Sequence, residues 1–357
     1  FHLEPAAPAP AAPAPPAPPP PYVEEDVQFE NGAVKLAGTL TLPKGSGPFP
    51  AVVLLTGSGP QNRDEELFGF QPFRVLTDQL TRKGIAVLRY DDRGVGGSSG
   101  NTLESTSEDF AGDALAAVAL LKARPAIAGQ KIGLLGHSEG GIVAPLAAVR
   151  SRDVAYIVLL SGTGVTGEAV MLDQAERIAR AEGRTPEQIA RNTRLQKRIF
   201  AAVRSGEGWE ELEGAIRAEA LDGIESLPAA ERGAIADPGE YAGNAAKAQL
   251  QFAKSRWFRF FLDYDPATAL AKVKVPVLAL FGERDLQVAT DLNRPAIAGA
   301  LARAGNKDVT VKVIPGANHL YQAAKTGSVG EYATLPKEFV PGLTDLIADW
   351  ILQQAAR

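Results

Sequence analysis

The sequence predicts an α/β protein with a mostly parallel central sheet flanked by helices. Three observations carry that reading. Short apolar, β-rich runs alternate with helical periodicities along most of the chain; one strand–turn–helix passage carries a glycine-flanked serine; and one long, purely helical stretch interrupts the rhythm.

The elements follow in order. Val27 and Phe29 alternate with polar neighbours, Asn31-Gly32 is a hairpin turn signal, and Leu36, Leu40 and Leu42 continue the alternation, which predicts an antiparallel hairpin. Strands are then expected at 51–55, 85–89, 131–135 and 154–160, with helices at 73–82, 109–123 and 140–150 between and after them. Apolar strands separated by helices give a parallel sheet covered on both faces. From about residue 167 to 262 no strand pattern is convincing, and helices are expected at 168–181, 186–204, 209–220 and 245–261. The rhythm resumes with strands at 277–281 and 309–314, a helix at 291–304 and a closing helix at 341–354. The division predicted is a core of residues 25–165 and 263–357, with 166–262 as a helical cap inserted between its halves.

Composition removes several function classes. The 357 residues carry a formal charge of −5 with no long run of like charge, so no basic footprint for nucleic acid or an anionic membrane is present. No run of eighteen apolar residues predicts a transmembrane helix. There is no cysteine, hence no disulfide, thiol nucleophile or thiolate metal site. The three histidines, His2, His137 and His319, lie far apart without His-Glu-x-x-His spacing, so a zinc hydrolase is not expected. Residues 1–24 read as an Ala/Pro-rich tether, extended rather than core-forming. With no initiator methionine before it, the chain reads as a mature form of a periplasmic or secreted protein, a cytoplasmic one being the alternative.

Gly136-His137-Ser138-Glu139-Gly140 matches a Gly-x-Ser-x-Gly elbow in its expected context, a strand entering and a helix leaving. A serine on so sharp a turn has a strained backbone, and side chains two positions away would collide, hence the glycines. The exposed hydroxyl then sits at a helix N-terminus, whose partial positive charge favours a developing anion. Serine needs a base, and His319 is the credible one, on the loop after the last strand. The base needs a carboxylate to fix its tautomer, and Asp285, after the preceding strand, is the choice; Glu283 and Asp291 are alternatives, the latter better read as a helix N-cap. His137 reads as packing, with its ring turned away from Ser138. Two N–H donors for an oxyanion are expected from the backbones of Glu139 and of Ser58, the latter between Gly57 and Gly59 in the loop after the first parallel strand. The carboxylate of Glu139 is left to contact cap residues or substrate.

These motifs, together with Tyr90-Asp91-Asp92-Arg93-Gly94-Val95-Gly96, Gly57-Ser58-Gly59-Pro60-Gln61-Asn62-Arg63-Asp64 and Pro315-Gly316-Ala317-Asn318-His319, resemble bacterial α/β-hydrolases of the serine aminopeptidase-like or dienelactone-hydrolase-like branch over about residues 25–355. The resemblance implies the α/β-hydrolase fold and a carboxylesterase-like acyl hydrolase that takes a small-molecule ester or thioester without cofactor. Two departures stand out: Thr56 occupies the place of a histidine common in esterases, and dienelactone hydrolases proper use cysteine where Ser138 stands. A peptidase or amidase with the same triad is the alternative activity, and a silent ligand-binding hydrolase fold the alternative class. Candidate substrate contacts are Gly57, Gly59, Arg63, Arg93, Tyr321 and, from the cap, Trp257 and Phe261. Arg63 and Arg93 equally suit pairing with Asp64, Asp91 and Asp92 to hold the loops, and an aromatic stripe equally suits a core.

Overall fold

The computed structural model describes residues 20–357 apart from 226 and 228. Most of the tether expected at 1–24 therefore lies outside the described residues, and its last three positions, Tyr22 to Glu24, already pair in a strand. That strand, β1 (Tyr22–Asn31), and β2 (Val34–Pro43) form the expected hairpin, closed at Asn31 opposite Val34. The chain continues through β3 (Phe49–Leu55), α1 (Pro72–Arg82), β4 (Ala86–Tyr90), α2 (Ser107–Lys122), β5 (Ile127–His137), α3 (Gly140–Arg150) and β6 (Ile157–Leu160). After six helices it returns through α10 (Ala267–Leu270), β7 (Val277–Gly282), α11 (Thr290–Arg303), β8 (Val309–Ile314) and α12 (Leu343–Ala355).

The strands make one eight-stranded sheet in the order β1-β2-β4-β3-β5-β6-β7-β8. Only β1–β2 and β2–β4 pair antiparallel; the five pairings from β4–β3 to β7–β8 are parallel. Side chains alternate across a strand, so each buried strand feeds two cores. Val53, Leu134, Ile157 and Ala279 join one apolar cluster with α2 and α3, while Val52, Leu135, Val158 and Leu278 join another with α1 and α12. The parallel strands end together at one edge, where loops from five of them can meet.

Between β6 and β7 run α4 (Gly167–Ala181), α5 (Pro186–Ser205), α6 (Trp209–Glu225), α7 (Ala229–Gly233), α8 (Pro238–Ala253) and α9 (Arg256–Asp263). The single helix expected at 245–261 is two. Ser255 breaks it by capping α9, its hydroxyl accepting the Phe258 N–H at 3.1 Å. Leu195, Ile199, Phe200, Trp257, Phe258 and Phe261 belong to the same cluster as the α2–α3 side of the sheet, so these helices share the main core. No helix among the described residues is long and apolar enough to cross a membrane.

Candidate active site

The elbow closes β5 onto α3 with Ser138 at φ 53°, the left-handed region that a non-glycine residue occupies only under strain. The flanking glycines are sterically required. A Cβ on Gly136 would lie 1.9 Å from the Gly140 carbonyl oxygen, and one on Gly140 would lie 2.3 Å from that of Leu55. The strand β3 thus passes directly behind the turn and delivers its own loop, Thr56 to Pro60, to the same place: a Cβ on Gly57 would meet Ser138 Cβ at 3.3 Å.

His319 and Asp285, on the loops after β8 and β7, meet at 2.8 Å between Nδ1 and Oδ2, both side chains buried. A carboxylate only accepts, so Nδ1 carries the proton and Nε2 is left with its lone pair. Oδ1 of Asp285 accepts the N–H groups of Gln287 and Val288, each at 2.9 Å. Burial alone would raise the Asp285 carboxyl, but His319 and these donors hold it below its ordinary value. Glu283, the alternative, instead accepts the Gly316 N–H at 2.7 Å. Asp291 is not the N-cap of α11, a position held by Ala289; it pairs with Arg177 of α4.

The His319 loop is tied to the elbow by a residue read from sequence as packing. His137 Nε2 donates to the His319 carbonyl at 2.9 Å, and the two rings lie 4.6 Å apart. Its Nδ1 meets Glu65 Oε1 at 2.9 Å, and the same oxygen accepts the Gly57 N–H at 2.7 Å. Burial opposes charge on His137, yet Glu65 outweighs it and raises the imidazole above its usual value. Gly57, Glu65, His137 and His319 therefore form one chain of hydrogen bonds joining the β3 loop, the elbow and the His319 loop. Sequence reasoning missed Glu65. It is 1% exposed and sits at φ 52°, seventy-two positions from its histidine, and no local motif marks such a contact.

Other candidates are placed as follows. Ser58 is exposed on its loop, and Gly59 has φ +93° with open space where a Cβ would project. Arg63 is not a free anion receptor: it grips both oxygens of Asp91, at 3.1 and 2.7 Å, and donates to Thr39 at 2.7 Å. Arg93 grips both oxygens of Asp113, at 2.7 and 2.8 Å. Both guanidiniums thus hold loops, because each finds a buried carboxylate in bidentate geometry. Tyr321 is buried, its hydroxyl donating to the Leu280 carbonyl at 2.7 Å and accepting from Ser161 at 3.1 Å. Trp257 and Phe261 stack at 4.9 Å and are almost wholly buried, as core rather than open pocket wall. Among the described residues no group of three or more His, Asp or Glu side chains is arranged to hold a metal ion.

The chain belongs to the Alpha/beta hydrolase family, which it matches over residues 52–325. It is 29% identical to Esterase EstD of Thermotoga maritima over 324 residues, which cover 89% of this chain and 66% of that protein's length. Among solved structures it is similar to Pyrococcus furiosus esterase Pf2001, with TM-score 0.53, 18% identity and 93% of both chains covered. It is also similar to the α/β-hydrolase GrgF from a Penicillium species, with TM-score 0.57, 18% identity, and 94% of this chain and 100% of the other covered.

Proposed function

We propose that this chain is a serine hydrolase that cleaves carboxylic ester or thioester bonds through an acyl-enzyme on Ser138. The observation that carries the reading is the buried 2.8 Å contact of His319 with Asp285, on a loop that His137 fastens to the serine elbow. The esterase name of the Thermotoga maritima relative supports an ester as the bond cleaved.

In this reading His319 Nε2 removes the Ser138 proton and the oxygen attacks the carbonyl carbon. The resulting oxyanion is held by the N–H groups of Glu139 and Ser58. Gly57 cannot serve as that second donor while its N–H is committed to Glu65, which favours its neighbour. His319 then returns the proton to the departing alcohol, and water repeats the sequence on the acyl-enzyme. The Ala/Pro run near the N-terminus supports a periplasmic or secreted setting.

The test is hydrolysis of p-nitrophenyl acetate, butyrate and longer esters beside an aminoacyl p-nitroanilide. Preference for the esters, lost at least about 10³-fold in Ser138→Ala, is expected. Ester turnover that survives Ser138→Ala overturns the reading, and a preference for the anilide converts it to a peptidase.

A further inference from the structure

The reaction above uses the backbone of Glu139 and leaves its carboxylate unemployed. That carboxylate is buried, and its bonded partners are neutral: Ser107 Oγ at 2.6 Å and the Trp257 indole N–H, 2.9 Å from each oxygen. Placing an acid there is costly, and burial pushes it up to about 7.

The two donors come from different parts of the molecule. Ser107 opens α2, directly after Thr106, which caps the helix in a reciprocal pair with Asp109. Trp257 lies in the first turn of α9, the last cap helix, which clasps the same α2 entrance by further bonds. The Trp257 backbone N–H donates to the Leu103 carbonyl at 2.9 Å, and Arg256 donates to the Glu104 carbonyl and to Asp109, each at 2.9 Å. One side chain, that of the residue following the nucleophile, thus joins the elbow to both.

We infer that Glu139 is a positioning residue: hydrogen-bonded by Trp257 and Ser107, its side chain fixes the peptide N–H that receives the oxyanion and seats α9 against the elbow. The inference rests on the reading of Ser138 as nucleophile. An oxyanion donor acts only when it is already in place, so loosening this peptide slows the chemical step more than it weakens substrate binding.

The experiment measures kcat and KM for p-nitrophenyl butyrate and the rate of fluorophosphonate labelling, in wild type, Trp257→Phe, Glu139→Ala and Glu139→Gln. Trp257→Phe keeps the ring but removes the donor; it is expected to lower kcat about tenfold with KM changed less than about threefold, and to slow labelling in step. Glu139→Ala is expected to do the same. Glu139→Gln restores the link, since its amide oxygen accepts from the indole and its NH₂ donates to Ser107; it is expected to stay within about threefold of wild type. If Trp257→Phe does not fold, Ser107→Ala removes the other donor and is read by the same kcat-against-KM criterion. An active wild type with unchanged kcat in Trp257→Phe, or equal losses in the Ala and Gln variants, overturns the inference alone. A wild type that neither hydrolyses the ester nor takes the label overturns the reading of the site, and this inference with it.

Discussion

The loops at the carboxyl edge of the sheet and the helices between β6 and β7 are held by different physics. At the edge the ties are buried and directional: His319 on Asp285, His137 on Glu65 and on the His319 carbonyl. On the helices they are largely exposed ion pairs, such as Arg180 with Glu176 within α4 and Arg191 of α5 with Glu219 of α6, above a shared apolar core. Removing one partner of a buried pair strands a desolvated group, whereas an exposed pair exchanges its partner for water. The edge is therefore expected to tolerate almost no substitution, and the surface of these helices a great deal.

Four measurements put this contrast to the test. Asp285→Asn carries the largest expected effect, about 10⁴-fold in kcat, because the new NH₂ faces Nδ1 and turns the His319 proton to the wrong nitrogen. An ester turnover within tenfold of wild type would remove Asp285 from the site. Next, His137→Ala leaves Glu65 buried without its imidazole and is expected to cost about 3–5 kcal/mol in denaturant unfolding. A loss under about 1 kcal/mol would mean that the hydrogen-bond chain does not hold the loops.

The third is a pH dependence. Glu139 rises from an ordinary 4.5 to about 7 in the fold, so its contribution to stability is complete below pH 4.5 and lost as pH climbs through 7. Asp92, which feels the charge of Glu139, is displaced in the same direction by desolvation and remains in a Glu139→Gln variant. Between pH 5 and 8 that variant should gain on wild type by roughly 2–3 kcal/mol, read from denaturant unfolding at each pH. A constant gap would show that the buried carboxyl does not titrate there. Smallest of all, Arg191→Ala on α5 is expected to leave both the unfolding midpoint and ester turnover essentially unchanged.

What the sequence disclosed follows the same division. Ser138, His319 and Asp285 stand beside strand ends, and an apolar run followed by a glycine-rich turn is a local signal that survives without any knowledge of partners. Glu65 gave none, because its role lies in a contact made across the β3 loop. Of the two roles expected for Arg63 and Arg93, substrate contact or holding the loops, the contacts are those of loop-holding: Arg63 takes Asp91, a partner named by its motif, whereas Asp113, the partner of Arg93, lies twenty positions away and no motif marks it. Among the helices between β6 and β7, Ser255 carried a usable signal as an N-cap, yet the helical periodicity on either side hid the break between α8 and α9. The bond from Trp257 to Glu139 spans 118 positions and was beyond any local pattern.

The most direct trial of the account is to treat the full chain with a fluorophosphonate and locate the adduct by peptide mass spectrometry. A single modification on the peptide containing Ser138, absent from Ser138→Ala and strongly slowed in His319→Ala, is the expected result. Modification of a different serine, or labelling of Ser138→Ala at the wild-type rate, would contradict it.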